Sequence, residues 1–171
     1  PFGARNFMCG IAGQIKTSGS IDEGELLRMR DALEHRGPDD KGFWIGADGK
    51  VGLAHRRLSI IDLSEAGRQP MANDDGTLLL VFNGEIYNFR ELRQTLEEKG
   101  HVFRSQTDSE VILHAYEEWG ISFIERLRGM FSIAIWDSTE ECLWLIRDRV
   151  GIKPMYYSIH NTRVVFGSEI K

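Results

Sequence analysis

Apolar and polar positions along the chain switch between two periods. The stretch Gly10-Ile11-Ala12-Gly13-Gln14-Ile15 is short, apolar and glycine-marked, which predicts a strand. Across residues 22–34 the apolar residues Leu26, Leu27, Met29 and Leu33 recur at roughly helical spacing. His35-Arg36-Gly37-Pro38-Asp39-Asp40 then ends that helix in a loop. Strands are expected around 42–45 and 51–55. A β-rich run over 77–82 is predicted to stop at Asn83-Gly84, a strong turn signal. Asn88 can cap a helix running to about Lys99, with Gly100 as its stop. Thr107-Asp108-Ser109-Glu110 has the form of a capping box, so Thr107 should open a helix through Trp119. A further helical segment is expected over 123–128.

The last third reads as two hairpins. Residues 130–136 and 142–146 flank the turn Asp137-Ser138-Thr139-Glu140, and residues 155–159 and 164–167 form the second pair. In the first hairpin both faces are apolar: Cys142, Trp144 and Ile146 alternate with Leu143 and Leu145. An antiparallel hairpin usually keeps one face wet. Cover on both faces predicts an α+β fold, with two sheets stacked between helical layers as the simplest arrangement.

Composition narrows the class. A chain of 171 residues suits one domain, with no repeat or linker dividing it. A net charge of −5 argues against a nucleic-acid or acidic-membrane surface. No apolar run is long enough to span a bilayer, and residues 1–7 lack a signal-peptide pattern. The two cysteines, Cys9 and Cys142, make no disulfide framework, so a cytoplasmic setting is expected.

The chemistry centres on Met8-Cys9-Gly10. Trimming after Met8 would give Cys9 a thiol and a free α-amine on one residue. The thiol is a strong nucleophile, and an amine of pKa about 8 can act as a general base. While Met8 stays attached, that nitrogen is an amide with no basicity. Residues 1–8 are therefore expected to be an extension or tag plus the initiator Met, with the domain proper over 9–171.

Met8-Cys9-Gly10-Ile11, His35-Arg36-Gly37-Pro38-Asp39, the run from Leu53 to Ile61, Asn83-Gly84-Glu85-Ile86-Tyr87-Asn88 and Thr107-Asp108-Ser109-Glu110 together resemble one family. It is the glutaminase domain of glutamine-hydrolysing asparagine synthetases, a class II glutamine amidotransferase of the N-terminal nucleophile hydrolase type. Later segments, including Arg147-Asp148-Arg149-Val150-Gly151-Ile152-Lys153-Pro154, fit the same family. The resemblance implies a four-layer αββα sandwich of two mainly antiparallel sheets, with one or two closing strands expected beyond Lys171. It implies that Cys9 attacks the side-chain amide of glutamine, with Asn83 and the Gly84 N–H as oxyanion donors. Substrate binding falls to Arg57 for the α-carboxylate and to Asp108 with Glu85 for the α-ammonium, with backbone carbonyls from Ile60 and Ile61. The bidentate fork of a guanidinium suits a carboxylate. Arg56, one residue away on an extended strand, should face away from Arg57 into solvent.

The implied partner is an ATP- and Mg-dependent synthetase domain, which is absent here; no cofactor or metal is expected in this domain. A homodimer is compatible with the family. His35 and His55 are structural by resemblance, and His101, His114 and His160 do not suggest a metal site. Cys142 reads as inert core. Arg147-Asp148-Arg149 is either a solvated charge run or a buried ion-pair network. Two rivals stand beside the glutaminase: a silent glutamine-binding or interaction module with a blocked Cys9, and a thiol protease using a histidine base.

Overall fold

The computed structural model describes residues 8–58 and 67–170. Its strands form two sheets in which every neighbouring pair is antiparallel. The first contains β1 (Gly10–Lys16), β2 (Asp40–Ile45), β3 (Val51–Arg57), β8 (Tyr156–His160) and β9 (Arg163–Gly167) in the order β2-β3-β1-β9-β8. The second runs β4-β5-β6-β7, from β4 (Met71–Ala72), β5 (Leu78–Ile86), β6 (Gly129–Asp137) and β7 (Cys142–Arg147). Helix α1 (Glu23–Asp31) lies on the first sheet, and α2 (Phe89–Glu98) and α3 (Asp108–Trp119) lie on the second.

Three apolar layers hold this αββα stack together. Ile21 and Leu26 pack on Ala54 under α1. Ile11, Val51, Leu53, Val81, Ala134 and Phe166 fill the space between the sheets. Leu80, Phe82, Ile133 and Ile135 meet Leu92, Leu96 and Ile112 of the other two helices. Strand alternation explains how β5 serves two layers at once: Leu79 and Val81 point between the sheets while Leu80 and Phe82 point to the helices. The first hairpin is covered on both faces as expected, with Trp144 against the helical core and Leu143 and Leu145 against the intersheet core. Since β7 is an edge strand, Cys142 is only half-buried rather than core.

Local signals set the helix starts. Asp22 caps α1 by accepting from the Glu25 N–H at 2.6 Å. Thr107 caps α3, its hydroxyl accepting from the Glu110 N–H at 3.3 Å. The capping box is not closed in its usual way. Glu110 accepts from the Arg104 and Ser105 N–H groups, each at 2.7 Å, so it fastens the preceding loop instead of the cap residue. Asn88 precedes α2 without capping it. Its side chain donates to the Arg126 carbonyl and accepts from the Arg128 N–H, tying α2 to the segment after the 3-10 helix Gly120–Glu125.

Two expectations are corrected by tertiary context. Asn83-Gly84 is not a turn: β5 runs straight through it, pairing Asn83 with Ser132 and Gly84 with Phe131. Ladder pairing with β6 outweighs the local turn preference, because it satisfies the backbone groups that a turn would leave to solvent. Arg56 does face away from Arg57, but it is buried, with Nη2 at 2.7 Å from Asp31 Oδ1 on α1.

Candidate active site

Each strand row that is apolar between the sheets becomes polar at one end of the sandwich. On β3 the row Val51, Leu53 continues as His55, Arg57; on β5 the row Leu79, Val81 continues as Asn83, Glu85. The register that pairs Gly10 with Arg56 puts Cys9 opposite Arg57, one step beyond β1. Asp108, the first residue of α3, closes the same end from the helical side. A cavity of about 390 Å³ results, and Cys9, Arg57, Asn83, Gly84, Glu85 and Asp108 all line it. Ile60 and Ile61 lie outside the described residues.

Cys9 is held from both sides. Its Sγ accepts from the Leu58 N–H at 3.4 Å, and its carbonyl accepts from Arg36 Nε at 3.2 Å. Burial pushes the thiol above its ordinary pKa, against the lowering influence of the Leu58 N–H and of the Arg57 and Lys153 charges. The group is therefore a thiol, not a resident thiolate, at neutral pH, and its attack on a carbonyl requires a proton acceptor. His55 is poorly suited to that task. It is fully buried, its pKa is lowered to about 4 chiefly by burial, and its Nε2 meets the Phe82 carbonyl at 3.2 Å. That contact makes Nε2 the protonated nitrogen. His35 lies outside the cavity, 2.9 Å from Glu169.

Two donors face the cavity beside Cys9. Asn83 is buried, and its Nδ2 has no hydrogen-bond partner among the described residues. A buried, unpaired donor is costly unless something arrives to accept from it. The second donor follows from strand alternation. The Phe82 N–H donates to Gln69 Oε1 and the Ile86 N–H donates to Asp108 Oδ2, so the Gly84 N–H between them turns to the same edge of β5. Glycine is required there by space. A Cβ at residue 84 would lie 2.3 Å from the Met130 carbonyl oxygen and 2.7 Å from Phe131 Cα.

Charges of both signs line the remainder. Arg57 and Lys153 bring positive charge, Glu85 and Asp108 negative. Asp108 is pushed up to about 6, first by burial and in part by the like charge of Glu85, although Ile86 donates to it at 3.0 Å. Lys153 was not singled out from the sequence. Its position comes from Arg147-Asp148-Arg149, in which both arginines are exposed and Asp148 is buried, with no ion pair from any of the three among the described residues. Asp148 is buried and accepts from the N–H groups of Phe131, Ile152 and Lys153, while Arg147 donates to the carbonyls of Gly151 and Lys153. These bonds fold the 148–153 loop over the cavity, where Lys153 Nζ donates to Met8 Sδ at 3.0 Å. The only signal in the sequence was the position of Lys153 within a family-like segment.

Comparison with known proteins agrees with this geometry. Residues 8–171 match the family model described as a glutamine amidotransferase domain. Asparagine synthetase [glutamine-hydrolyzing] 2 of Bacillus subtilis (strain 168) is 47% identical over 96% of this chain and 22% of its own length. Asparagine synthetase [glutamine-hydrolyzing] 3 of the same organism is 40% identical over 96% of this chain and 27% of its length. The chain thus spans about a quarter of the curated relatives it matches. Among solved structures, glutamine phosphoribosylpyrophosphate amidotransferase from B. subtilis superposes with a TM-score of 0.76 at 20% identity, covering 94% of this chain and 42% of that one, which shows the shared fold. With two antiparallel sheets between helical layers and a family match over nearly its whole length, this chain belongs to the glutamine amidotransferase domain family.

Proposed function

We propose that this domain hydrolyses glutamine to glutamate and ammonia through a thioester on Cys9, and that the ammonia serves an ATP- and Mg-dependent asparagine-synthetase-type domain of a longer protein. One observation carries the reading: a thiol, a buried amide donor without a partner among the described residues, and charges of both signs converge on one cavity. Glutamine is a zwitterion with a neutral amide at the far end. Arg57 suits its α-carboxylate, and Asp108 with Glu85 suits its α-ammonium.

In the first half-reaction Cys9 Sγ bonds to the amide carbon while the thiol proton passes to the Cys9 α-amine. The carbonyl oxygen takes negative charge and receives hydrogen bonds from Asn83 Nδ2 and the Gly84 N–H. The amine returns its proton to the departing nitrogen, the C–N bond breaks and ammonia leaves. Water then attacks the thioester and gives a proton to the same amine. Collapse of that intermediate returns the proton to sulfur and releases glutamate.

Removal of Met8 is a precondition. With Met8 in place the Cys9 nitrogen is an amide, the Met8 N–H donates to the Arg36 carbonyl at 3.1 Å, and the Met8 side chain lines the cavity. This seating favours a second reading, a silent glutamine-binding module, for any molecule that keeps Met8. The two are separated by preparing the chain with and without a free Cys9 amine and measuring glutamate release. The free-amine form should turn over, and both the Met8-bearing form and Cys9→Ala should not. Equal rates with and without Met8 would rule out the amine as base, and silence of the free-amine form would rule out the glutaminase.

A further inference from the structure

A second constellation lies away from the cavity, where the turn after α2 meets the outer part of α3. His101 follows Gly100, whose φ of +99° turns the chain back towards α3. There His101 Nδ1 stands 3.2 Å from His114 Nδ1 and 3.7 Å from Glu117 Oε2, and His114 Nδ1 stands 2.8 Å from the same oxygen. Three atoms that can each offer a lone pair therefore converge on one point. Without an ion the group has a single hydrogen to share among the three atoms. If His114 Nδ1 holds a proton for Glu117, His101 Nδ1 must share that one hydrogen; if it holds none, its lone pair faces a carboxylate.

A cation at the centre would engage all three lone pairs at once instead of leaving them to share one hydrogen. Metal bonds of about 2.0–2.1 Å to nitrogen and oxygen put the donor atoms of a tetrahedral centre about 3.3 Å apart, and the three separations here, 2.8, 3.2 and 3.7 Å, fall on either side of that value. Each donor residue is also supported from behind. The other nitrogen of His101, Nε2, is 3.3 Å from Glu118 Oε2, the carboxylate–imidazole arrangement that orients metal-bound histidines. Asn73 Nδ2 donates to Glu117 Oε1 at 2.9 Å, which leaves Oε2 for the ion. The Phe103 ring stands edge-on to the His114 ring at 4.6 Å and fixes its plane. His101 and Glu117 are partly exposed, so the centre is reachable from solvent.

We propose that His101, His114 and Glu117 form a three-ligand site for a divalent transition-metal ion of the zinc type, with a fourth position open to water. In the sequence these histidines lie on predicted helix edges or turns and do not suggest a metal site, and thirteen residues separate His101 from His114. Only the chain reversal at Gly100 brings them together. The site pins the α2–α3 connection to the middle of α3, the helix whose first residue is Asp108.

The test is titration of the chain with zinc by calorimetry and with cobalt(II) by visible absorption, alongside Glu117→Gln, His101→Ala and Glu118→Gln. Glu117→Gln is isosteric and leaves the two histidines in place, and using the same chain throughout cancels metal uptake by Cys9 or Cys142. One equivalent should bind, with the intense cobalt bands of a low-coordinate centre. Glu118→Gln should weaken binding about 10–100-fold, as loss of an orienting carboxylate does. Glu117→Gln and His101→Ala should abolish the stoichiometric event. Unchanged zinc affinity in Glu117→Gln, or no saturable binding by the parent chain, would overturn the site.

Discussion

Asn83 holds a buried hydrogen-bond donor with no partner among the described residues, a cost that catalysis can recover. A donor waiting in fixed position is worth most where charge develops, because nothing has to reorganise when the oxyanion forms. Asn83→Ala should therefore lower kcat about 100–1,000-fold with little change in KM, read from steady-state glutaminase kinetics of the free-amine enzyme. A matching rise in KM with kcat intact would make Asn83 a binding residue. Asp108 makes the complementary case. Its carboxyl, near 6 in the fold, has an ordinary value of 3.8, so the folded state disfavours its charge. The stability it contributes is complete below about pH 4 and is lost as pH rises through about 6. Asp108→Asn should consequently melt higher than the parent at pH 7.5, by up to roughly 3 kcal/mol, and no higher at pH 4. It should also lose its grip on glutamine. In the parent enzyme kcat/KM should fall as pH drops below about 6, where the protonated carboxyl can no longer pair with an ammonium. Thermal melts at both pH values check the first claim, and a pH-independent difference would remove Asp108 from the account.

The elements show which local signals govern structure. Helices α1 and α3 were legible because a side-chain cap and apolar spacing agree at each. Strand β4 was not, since two residues carry no periodicity. Strand β5 was read too short because Asn-Gly speaks for a turn in isolation, while its pairing with Ser132 and Phe131 is visible only once β6 is in place. The same crossing explains the glycine. Gly84→Ala should cost about 1–3 kcal/mol by forcing Met130 and Phe131 back from β5, measured by chemical denaturation. The Gly84 N–H would move with the strand, so activity should fall further than the lost stability accounts for. A fully stable, fully active Gly84→Ala would show that β5 and β6 are not locked together at this point.

At the scale of the whole molecule, the αββα layering is legible from the two-faced strands, and the motifs name Cys9, Arg57, Asn83, Gly84, Glu85 and Asp108, which the fold gathers around one cavity. What was not legible arises from chain reversals. Lys153 reaches the cavity through a loop folded by Asp148, and His101 meets His114 through the turn at Gly100. No spacing rule carries such information, because the loop backbone and its carbonyl acceptors decide where the side chain ends up. The change along each strand row, from Val51 and Leu53 to Arg57 and from Leu79 and Val81 to Asn83, has a further consequence. Chemistry and cohesion occupy successive steps of the same strands, about 7 Å apart, without sharing a residue. The terminal side chains, and with them the reaction or the substrate, can thus be exchanged without disturbing the layer that keeps the sheets together.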